Sequence, residues 1–199
     1  MKGNELMSRL SPLLREEWST EFAETVESYR SNVRGAKPAS NSQSGNNLFG
    51  VFAYHPDLIS AFLKFNGYLL SCSSLTLRDR ELMILRVAFL QKCEYEWAQH
   101  VIIAGRAEIS DAEIARVRDE PDSSEWTDAE RALLGSVDDL LGGGKISDDN
   151  WAVLSKNFDT QQCMDLLYTV GCYSMLAMVM RSLDVAPEEG LVPYLPSNW

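Results

Sequence analysis

Three side chains capable of chemistry lie on one face of a predicted helix. Cys93, Glu96 and His100 are spaced i, i+3 and i+7 in the sequence. Because an α-helix turns by about 100° per residue, they fall within an arc of roughly 60°. Their neighbours from Glu94 onward are mostly apolar, which predicts a buried helix. A buried carboxylate and imidazole are costly unless paired, so this face predicts a site that moves a proton.

A fourth candidate, Glu81, lies on the preceding predicted helix. That helix runs from about Leu77 to Gln91, with Thr76 as its N-cap and Asp79 completing a capping-box pattern. Glu81 lies beyond the cap on an apolar face, and neither Lys nor Arg follows it four residues later. Such surroundings raise the pKa of a carboxyl group, which is the condition for proton transfer near neutral pH.

Composition limits the class of protein. The chain has 199 residues, of which 45% are hydrophobic, so we expect one domain with a substantial core. The net charge of −11 and the lack of Lys/Arg runs argue against nucleic-acid binding. The first thirty residues lack an apolar segment, and no run of eighteen apolar residues occurs, so we expect neither a signal peptide nor a membrane span. These features predict a cytoplasmic protein.

Cysteines and histidines do not suggest a metal or a disulfide framework. The four cysteines show no C-x-x-C spacing, so we expect reduced thiols. Only two histidines are present, and the spacing of Glu96 and His100 fits neither E-x-x-H nor H-E-x-x-H. Gly142 to Gly144 lack the G-K-S/T ending of a phosphate loop. We therefore predict no metal and no cofactor.

The remaining chain predicts an all-α architecture, because no period-2 strand pattern occurs. The predicted elements are a helical region from Ser11, a loop over 35–47, short helices at 48–54 and 148–158, and helices at 56–71, 111–118, 128–141 and 161–183. Leu58, Phe62, Phe65 and Leu69 should face inward, and the methionines of the last helix should fill the core. A weak internal duplication relates Thr76 and the residues after it to a similar pattern 84 positions later.

One stretch carries a family resemblance. The runs RDRELMILRVA, from Arg78, and CEYEWAQH, from Cys93, resemble the carboxymuconolactone decarboxylase family, which shares its fold with the AhpD alkylhydroperoxidases. NNLFGVFAYHPDL upstream is also similar to longer members of that family. The resemblance implies an AhpD-like domain over 47–185, preceded by a helix and flexible loop over 1–46 and followed by a tail over 186–199.

The AhpD branch of this fold has a glutamate, then C-x-x-C, then a histidine. Glu81, Cys93 and His100 match these positions, whereas Glu96 replaces the second cysteine. A disulfide between the two positions is therefore impossible, and thiol peroxidase chemistry of that branch loses its resolving cysteine. A carboxylate beside an imidazole indicates an acid-base site instead.

The decarboxylase branch implies specific roles for these residues. Its chemistry removes a carboxylate from a lactone acid and protonates the dienolate without a cofactor. We assign His100 as proton donor or acceptor, Glu96 as its partner and Glu81 as an orienting or relaying group. Cys93 would line the site, with its pKa lowered by the helix N-terminus. Substrate contacts are predicted for one arginine and two aromatic residues: Arg86, Tyr95 and Trp97.

Several alternatives remain open. A peroxidase could use Cys93 with an external resolving thiol, and a non-enzymatic helical assembly module would need no site at all. Within acid-base chemistry, decarboxylation, hydration, dehydration, isomerisation and retro-aldol cleavage would use the same side chains. Glu81 could instead bond to Arg106 or Arg131, and Cys93 could be a small core residue. We expect a small unsaturated lactone or carboxylic acid from aromatic catabolism as substrate, and the resemblance implies a homo-oligomer.

Overall fold

Nine α-helices and no strand occur in residues 8–34 and 45–195, the part of the chain that the computed structural model describes. The predicted all-α class is therefore confirmed. In chain order the helices are α1 (Thr20–Arg34), α2 (Asn46–Phe52), α3 (Pro56–Ser71), α4 (Leu77–Leu90), α5 (Glu94–Ala104), α6 (Asp111–Asp119), α7 (Asp128–Gly143), α8 (Asp148–Asn157) and α9 (Thr160–Ser182).

Local sequence explains most helix starts. The hydroxyls of Thr76, Ser110, Thr127 and Ser147 each accept a backbone N–H three residues later, as the capping patterns predict. A proline occupies the first position of α3, where its missing N–H costs nothing. Gly144 ends α7 in the left-handed region at φ 72°, a conformation that favours glycine.

Three predicted boundaries differ from the structure. The first long helix begins at Thr20 rather than Ser11, because Ser19 Oγ accepts the N–H of Phe22 at 3.2 Å and so starts the helix there. Helix α9 begins at Thr160, one residue before the predicted start at Gln161, and Asp159 is its N-cap. The predicted loop over 35–47 lies outside the described residues as far as 44, and α2 already begins at Asn46; the last four tail residues, 196–199, also lie outside.

Helix α4 lies at the centre of the fold. Every residue from Arg80 to Ala88 is buried, so α4 has core on all sides. One apolar cluster joins it to helices α1, α2, α3, α7, α8 and α9. A second, smaller cluster contains Leu82, Leu85 and Trp97 and joins α4 to α5, α6 and α7. The charged residues of α4 are buried because the helix lies between the two apolar clusters.

Arginines of α4 tie it to the helices of the smaller cluster. Arg86 makes a bidentate pair with Asp138 of α7, at 2.7 and 2.9 Å, and donates to the carbonyls of Val117 and Arg118 at the end of α6. Arg78 bridges α6 and α7 through two glutamates. These bonds fix the angle at which α6 and α7 pack on α4.

Helices α3 and α9 share an exposed apolar face. The inward residues of α3 are Ile59, Leu63, Asn66 and Leu69, so the prediction is wrong for Leu58 and Phe65, which are 58% and 38% exposed. The ring of Phe65 contacts Tyr168 of α9 in an edge geometry at 6.1 Å. We call this the α3/α9 face; its exposed members are Leu58, Phe65, Tyr68, Met164, Leu167, Tyr168, Met175, Met178 and Val179.

Helix α9 is apolar around most of its circumference. Met180 is buried as predicted, but Met164, Met175 and Met178 are about half exposed, so they do not fill the core. By length and composition α9 is the one helix of the described residues that could cross a membrane. However, 56% of its most apolar stretch is buried within this fold, and core helices of soluble proteins pass the same test.

Candidate active site

A cavity of about 310 Å³ opens between α1, α4, α5 and α9. Three of the predicted catalytic residues, Glu81, Glu96 and His100, line it together. Its volume is at the lower end of the range for ligand pockets. The lining is largely apolar, with contributions from Phe49, Leu176 and other side chains. The structure thus brings a few titratable groups into an apolar pocket, as ligand sites usually do.

His100 is paired with Glu81 and not with Glu96. His100 Nδ1 lies 2.6 Å from Glu81 Oε2, and the two residues are 7% and 1% exposed. This corrects the predicted partner: the pairing joins α4 to α5 rather than two residues one turn apart on α5. The edge-on ring of Tyr173, 5.1 Å away between centroids, packs against the imidazole. Because Nδ1 is bonded, Nε2 is the ring nitrogen available to a ligand.

The second oxygen of Glu81 lies near Arg80. Arg80 Nε is 3.7 Å from Glu81 Oε1, and another guanidinium nitrogen donates to the carbonyl of Leu69 at 3.4 Å. Neither Arg106 nor Arg131, the alternatives considered from sequence, forms an ion pair with it. Glu81 is therefore held from both sides, by a cation and by the imidazole.

Glu96 is the most unusual group of the cavity. It is 2% exposed, and neither carboxyl oxygen has a hydrogen-bond partner among the described residues. Burial raises the pKa of Glu96 well above its ordinary value, because desolvation penalises the charged form. The neutral acid is thus favoured, and a neutral carboxyl can donate a hydrogen bond or a proton into the cavity.

Cys93 does not have the predicted properties of a reactive thiol. It is the N-cap of α5 and 1% exposed, and it is absent from the cavity lining. Burial, and then the nearby Glu96, raise the pKa of Cys93, contrary to the lowering expected from the helix dipole. Desolvation outweighs the dipole because the thiol is enclosed by core residues.

Of the three predicted substrate contacts, only Tyr95 lines the cavity. Its hydroxyl donates to Glu188 Oε1 at 2.9 Å. Arg86 is bonded to Asp138 and to the α6 carbonyls and does not line the cavity, so the structure does not bring it together with the other predicted site residues. Trp97 is also placed elsewhere, because it packs on Phe89 in the smaller apolar cluster.

Sequence reasoning missed several lining residues. Tyr173 lies on α9, where the sequence predicted core residues, and Arg80 of α4 was not among the predicted site residues. Arg106, which the sequence offered as an alternative partner of Glu81, instead lines the cavity two residues after the end of α5. In the described residues, no group of three or more His, Cys, Asp or Glu could hold a metal ion.

Residues 56–139 match the carboxymuconolactone decarboxylase family. They include Glu81, Glu96 and His100. The family resemblance expected from the RDRELMILRVA and CEYEWAQH runs is therefore confirmed. No curated protein matches the chain.

Solved structures show the same fold around this family segment. A peroxidase-related protein with an AhpD core from Ralstonia eutropha JMP134 is 16% identical, with a TM-score of 0.75, 92% of this chain covered and 94% of that chain. A variant of the debrominase Bmp8 in complex with 2,3,4-tribromopyrrole is 14% identical, with a TM-score of 0.75, 95% of this chain covered and 96% of the other.

A third similar structure is a protein of unknown function, ATU0492 from Agrobacterium tumefaciens, described as a putative antioxidant defence protein AhpD. It is 21% identical, with a TM-score of 0.63, and the alignment covers 68% of this chain and 93% of that one. At these identities the similarity establishes an AhpD-like fold and no shared activity.

Proposed function

We propose that this protein is a cofactor-independent acid-base enzyme acting on a small unsaturated lactone or carboxylic acid, of the kind met in aromatic catabolism. The observation that carries the proposal is Glu96, a buried acid without a hydrogen-bond partner in residues 8–34 and 45–195, in one cavity with the buried pair of His100 and Glu81. Perturbed titratable groups that converge on an apolar pocket are typical of active sites.

The proposed roles follow from the pairings. Glu81 orients the imidazole through Nδ1, which leaves Nε2 of His100 to take or give a proton at the substrate. Glu96 is a neutral acid that donates a hydrogen bond to the substrate oxygen on which negative charge develops. Both side chains are buried, and electrostatic interactions between buried groups are stronger than in bulk solvent.

The chemistry balances without a metal or a redox group. In a decarboxylation, the bond to the departing carboxylate breaks and its electron pair passes into the unsaturated system, which becomes a dienolate. Glu96 stabilises the dienolate oxygen, and protonated His100 delivers a proton to the dienolate carbon; water then reprotonates the imidazole. Isomerisation or elimination uses the same two groups, with His100 first removing a proton as base.

A thiol peroxidase is the competing hypothesis, and the names of the AhpD-like neighbours suggest it. It would require the thiolate of Cys93 to attack a peroxide and an external thiol to resolve the product. The burial of Cys93, its raised pKa and its position away from the cavity lining argue against that chemistry.

The deciding experiment is a screen of unsaturated lactone acids and ring-cleavage intermediates with the wild type and His100→Asn. We expect turnover of at least one compound, and a loss of roughly 10²- to 10⁴-fold in His100→Asn, the size of a general acid-base contribution. His55→Asn is the matched control, because His55 is exposed and caps α3, where asparagine caps equally well.

The screen also separates the two mechanisms. Cys93→Ser should retain activity within a few-fold if the acid-base proposal holds. Peroxide consumption that Cys93→Ser abolishes and His100→Asn only weakens would contradict it and favour the thiol peroxidase. Unchanged turnover in His100→Asn would also reject the assigned roles.

We also propose a cytoplasmic homo-oligomer. The four cysteines are free, which fits a reducing compartment. The α3/α9 face supports the oligomer, since large contiguous apolar patches on a soluble protein mark interaction surfaces.

A further inference from the structure

The cavity is richer in positive charge than the rest of this acidic protein. Three arginines line it, Arg30, Arg80 and Arg106, against two acidic residues, one of which is the neutral-favouring Glu96. The chain as a whole carries a net charge of −11. The local positive charge attracts an anionic ligand to this cavity, although the protein as a whole is negative.

Two of these arginines are already engaged by other groups. Arg80 is close to Glu81 and donates to a backbone carbonyl. Arg30 donates to Asn46 Oδ1 at 3.0 Å, and its guanidinium lies over the ring of Phe49, 4.9 Å from the centroid. Some of the N–H donors of Arg30 and Arg80 are therefore used within the protein and are not available to a ligand.

Arg106 differs from both. It lies two residues after α5 in a short 3-10 turn (Gly105–Ala107), it is exposed, and it forms no hydrogen bond or ion pair with the described residues. It nevertheless lines the cavity, as do Glu96 and Ile103 of α5. An arginine at the end of a helix can also be a simple solvated charge that complements the helix dipole; its place on the cavity wall indicates a further role.

The number of residues between His100 and Arg106 gives an approximate distance from the arginine to the reacting groups. Six residues separate His100 from Arg106, which corresponds to about 9 Å along a helix axis. Between them the cavity wall is apolar and contains Ile102 and Ile103. A small organic acid can therefore reach from one end to the other, with its apolar body on these isoleucines.

We propose that Arg106 is the anchoring subsite for a substrate carboxylate that does not react. This inference rests on the proposed function, which it extends: the substrate is an organic anion whose anchoring carboxylate is several bonds away from the carbon at which His100 and Glu96 act. That carboxylate stays in the product, because guanidinium pairing at the cavity mouth keeps it away from the proton-transfer groups. Any carboxylate that is lost must be a second one, at the His100 end.

Binding of trans-cinnamate and of its neutral isostere trans-cinnamamide, measured by calorimetry, tests the subsite. Both probes share one unsaturated body, so the difference in affinity reports the carboxylate alone. We expect the wild type to bind cinnamate at least tenfold more tightly, with an advantage that shrinks as salt is added. Arg106→Gln should remove the preference and leave the cinnamamide affinity unchanged, and Arg106→Lys should restore part of it.

Lys156→Gln is the matched control, because it removes one positive charge from an exposed position on α8. It should retain the full cinnamate preference. An equal preference in Arg106→Gln and the wild type would overturn the proposal, and so would a wild type that binds neither probe or binds both equally.

His100→Asn separates this inference from the proposed function. It should keep the wild-type preference for cinnamate over cinnamamide, because that preference depends on Arg106 at the other end of the cavity. If the wild type shows the Arg106-dependent preference but turns over no compound, the anion subsite is supported and the proposed enzyme activity is rejected. If turnover depends on His100 but not on Arg106, the enzyme activity is supported and the anion subsite is rejected.

Discussion

Glu96 makes the protein's stability depend on pH in a particular direction. Its folded-state pKa is raised by burial, so the folded chain holds a proton that the unfolded chain has lost once the pH exceeds about 4.3. Folded molecules then bind more protons than unfolded ones, and stability falls as the pH rises from there toward the folded-state pKa. The acid that serves the proposed chemistry therefore weakens the fold at neutral pH.

Glu96→Gln should remove this dependence. Above pH 4.3, the unfolding free energy of the variant should exceed that of the wild type by an amount that grows by up to about 1.4 kcal/mol per pH unit. The reason is that glutamine has no proton to lose. Urea denaturation at pH 4.5, 6.0 and 7.5 measures the difference. Glu94→Gln, an exposed neighbour on α5, should show no such trend. Parallel pH profiles of Glu96→Gln and the wild type would contradict the assignment.

Glu81 should matter to stability as well as to catalysis. Its removal leaves the imidazole of His100 buried without its partner, and breaking one side of a buried pair typically costs about 3 kcal/mol or more. Glu81→Ala should lose roughly that amount and Glu81→Gln less, because the amide can still bond to Nδ1. A double-mutant cycle with His100→Ala measures the coupling. Exposed Glu24→Ala is the control, and additive losses would show that the pair is not coupled.

At the scale of elements, α4 holds the site together through bonds that lie outside the cavity. Arg86 joins α4 to α6 and α7 and does not contact the pocket. Arg86→Met should therefore lower the unfolding free energy by about 3 kcal/mol, since Asp138 and two carbonyls lose their donor. Denaturation and cinnamate calorimetry together test this.

The affinity of Arg86→Met for cinnamate should equal that of the wild type in conditions where the variant is folded. Exposed Arg15→Met should change neither quantity. A loss of cinnamate binding without a loss of stability would restore the substrate role that the sequence alone suggested for Arg86.

Helical periodicity and capping were sufficient to predict the elements, because both depend on residues close in the chain. The boundaries of α3, the cap of α4 and the start of α5 follow from Pro56, Thr76 and the apolar run after Cys93. The pairing of His100 could not be obtained this way. The partner that the structure shows, Glu81, is 19 residues away on another helix. The packing of α4 on α5 places Glu81, and not Glu96, beside Nδ1 of His100, and no local sequence pattern specifies that packing.

Burial was the other quantity that local patterns misjudged. The dipole argument for Cys93 considered only its position at the start of α5, whereas the surrounding core determines its pKa. The same limit applies to Leu58 and Phe65, which have the apolar character of core residues but lie on the α3/α9 face. Sequence identifies an apolar side chain and not the surface that covers it.

At the scale of the whole molecule, the α3/α9 face should contact a second copy of the chain. Five exposed, uncharged residues of α9 recur with the alternating spacing of four and three that suits packing of one helix on another. They are Met164, Tyr168, Gly171, Met175 and Met178. A net charge of −11 opposes association of two copies of the chain through electrostatic repulsion. Contact through an uncharged face keeps the negative charges of the two copies apart.

Met178→Lys should dissociate the assembly, because it places a charge in the middle of an apolar contact. Sedimentation velocity should show the wild type as an oligomer and the variant at lower mass, with unchanged helical content. Trp151→Lys is the control, since Trp151 is a similarly exposed apolar residue on α8. A monomeric wild type would reject the interface.

The contact between Tyr95 and Glu188 has a consequence for the order of folding. One carboxyl oxygen of Glu188 accepts from the Tyr95 hydroxyl, 93 residues earlier, and from the Asn47 backbone N–H, 141 residues earlier. Contacts so distant in the chain bear a large loop-closure entropy and tend to form after local helices have docked. We therefore expect this side of the cavity wall to form late in folding, after the helices that position His100 and Glu81 have packed together.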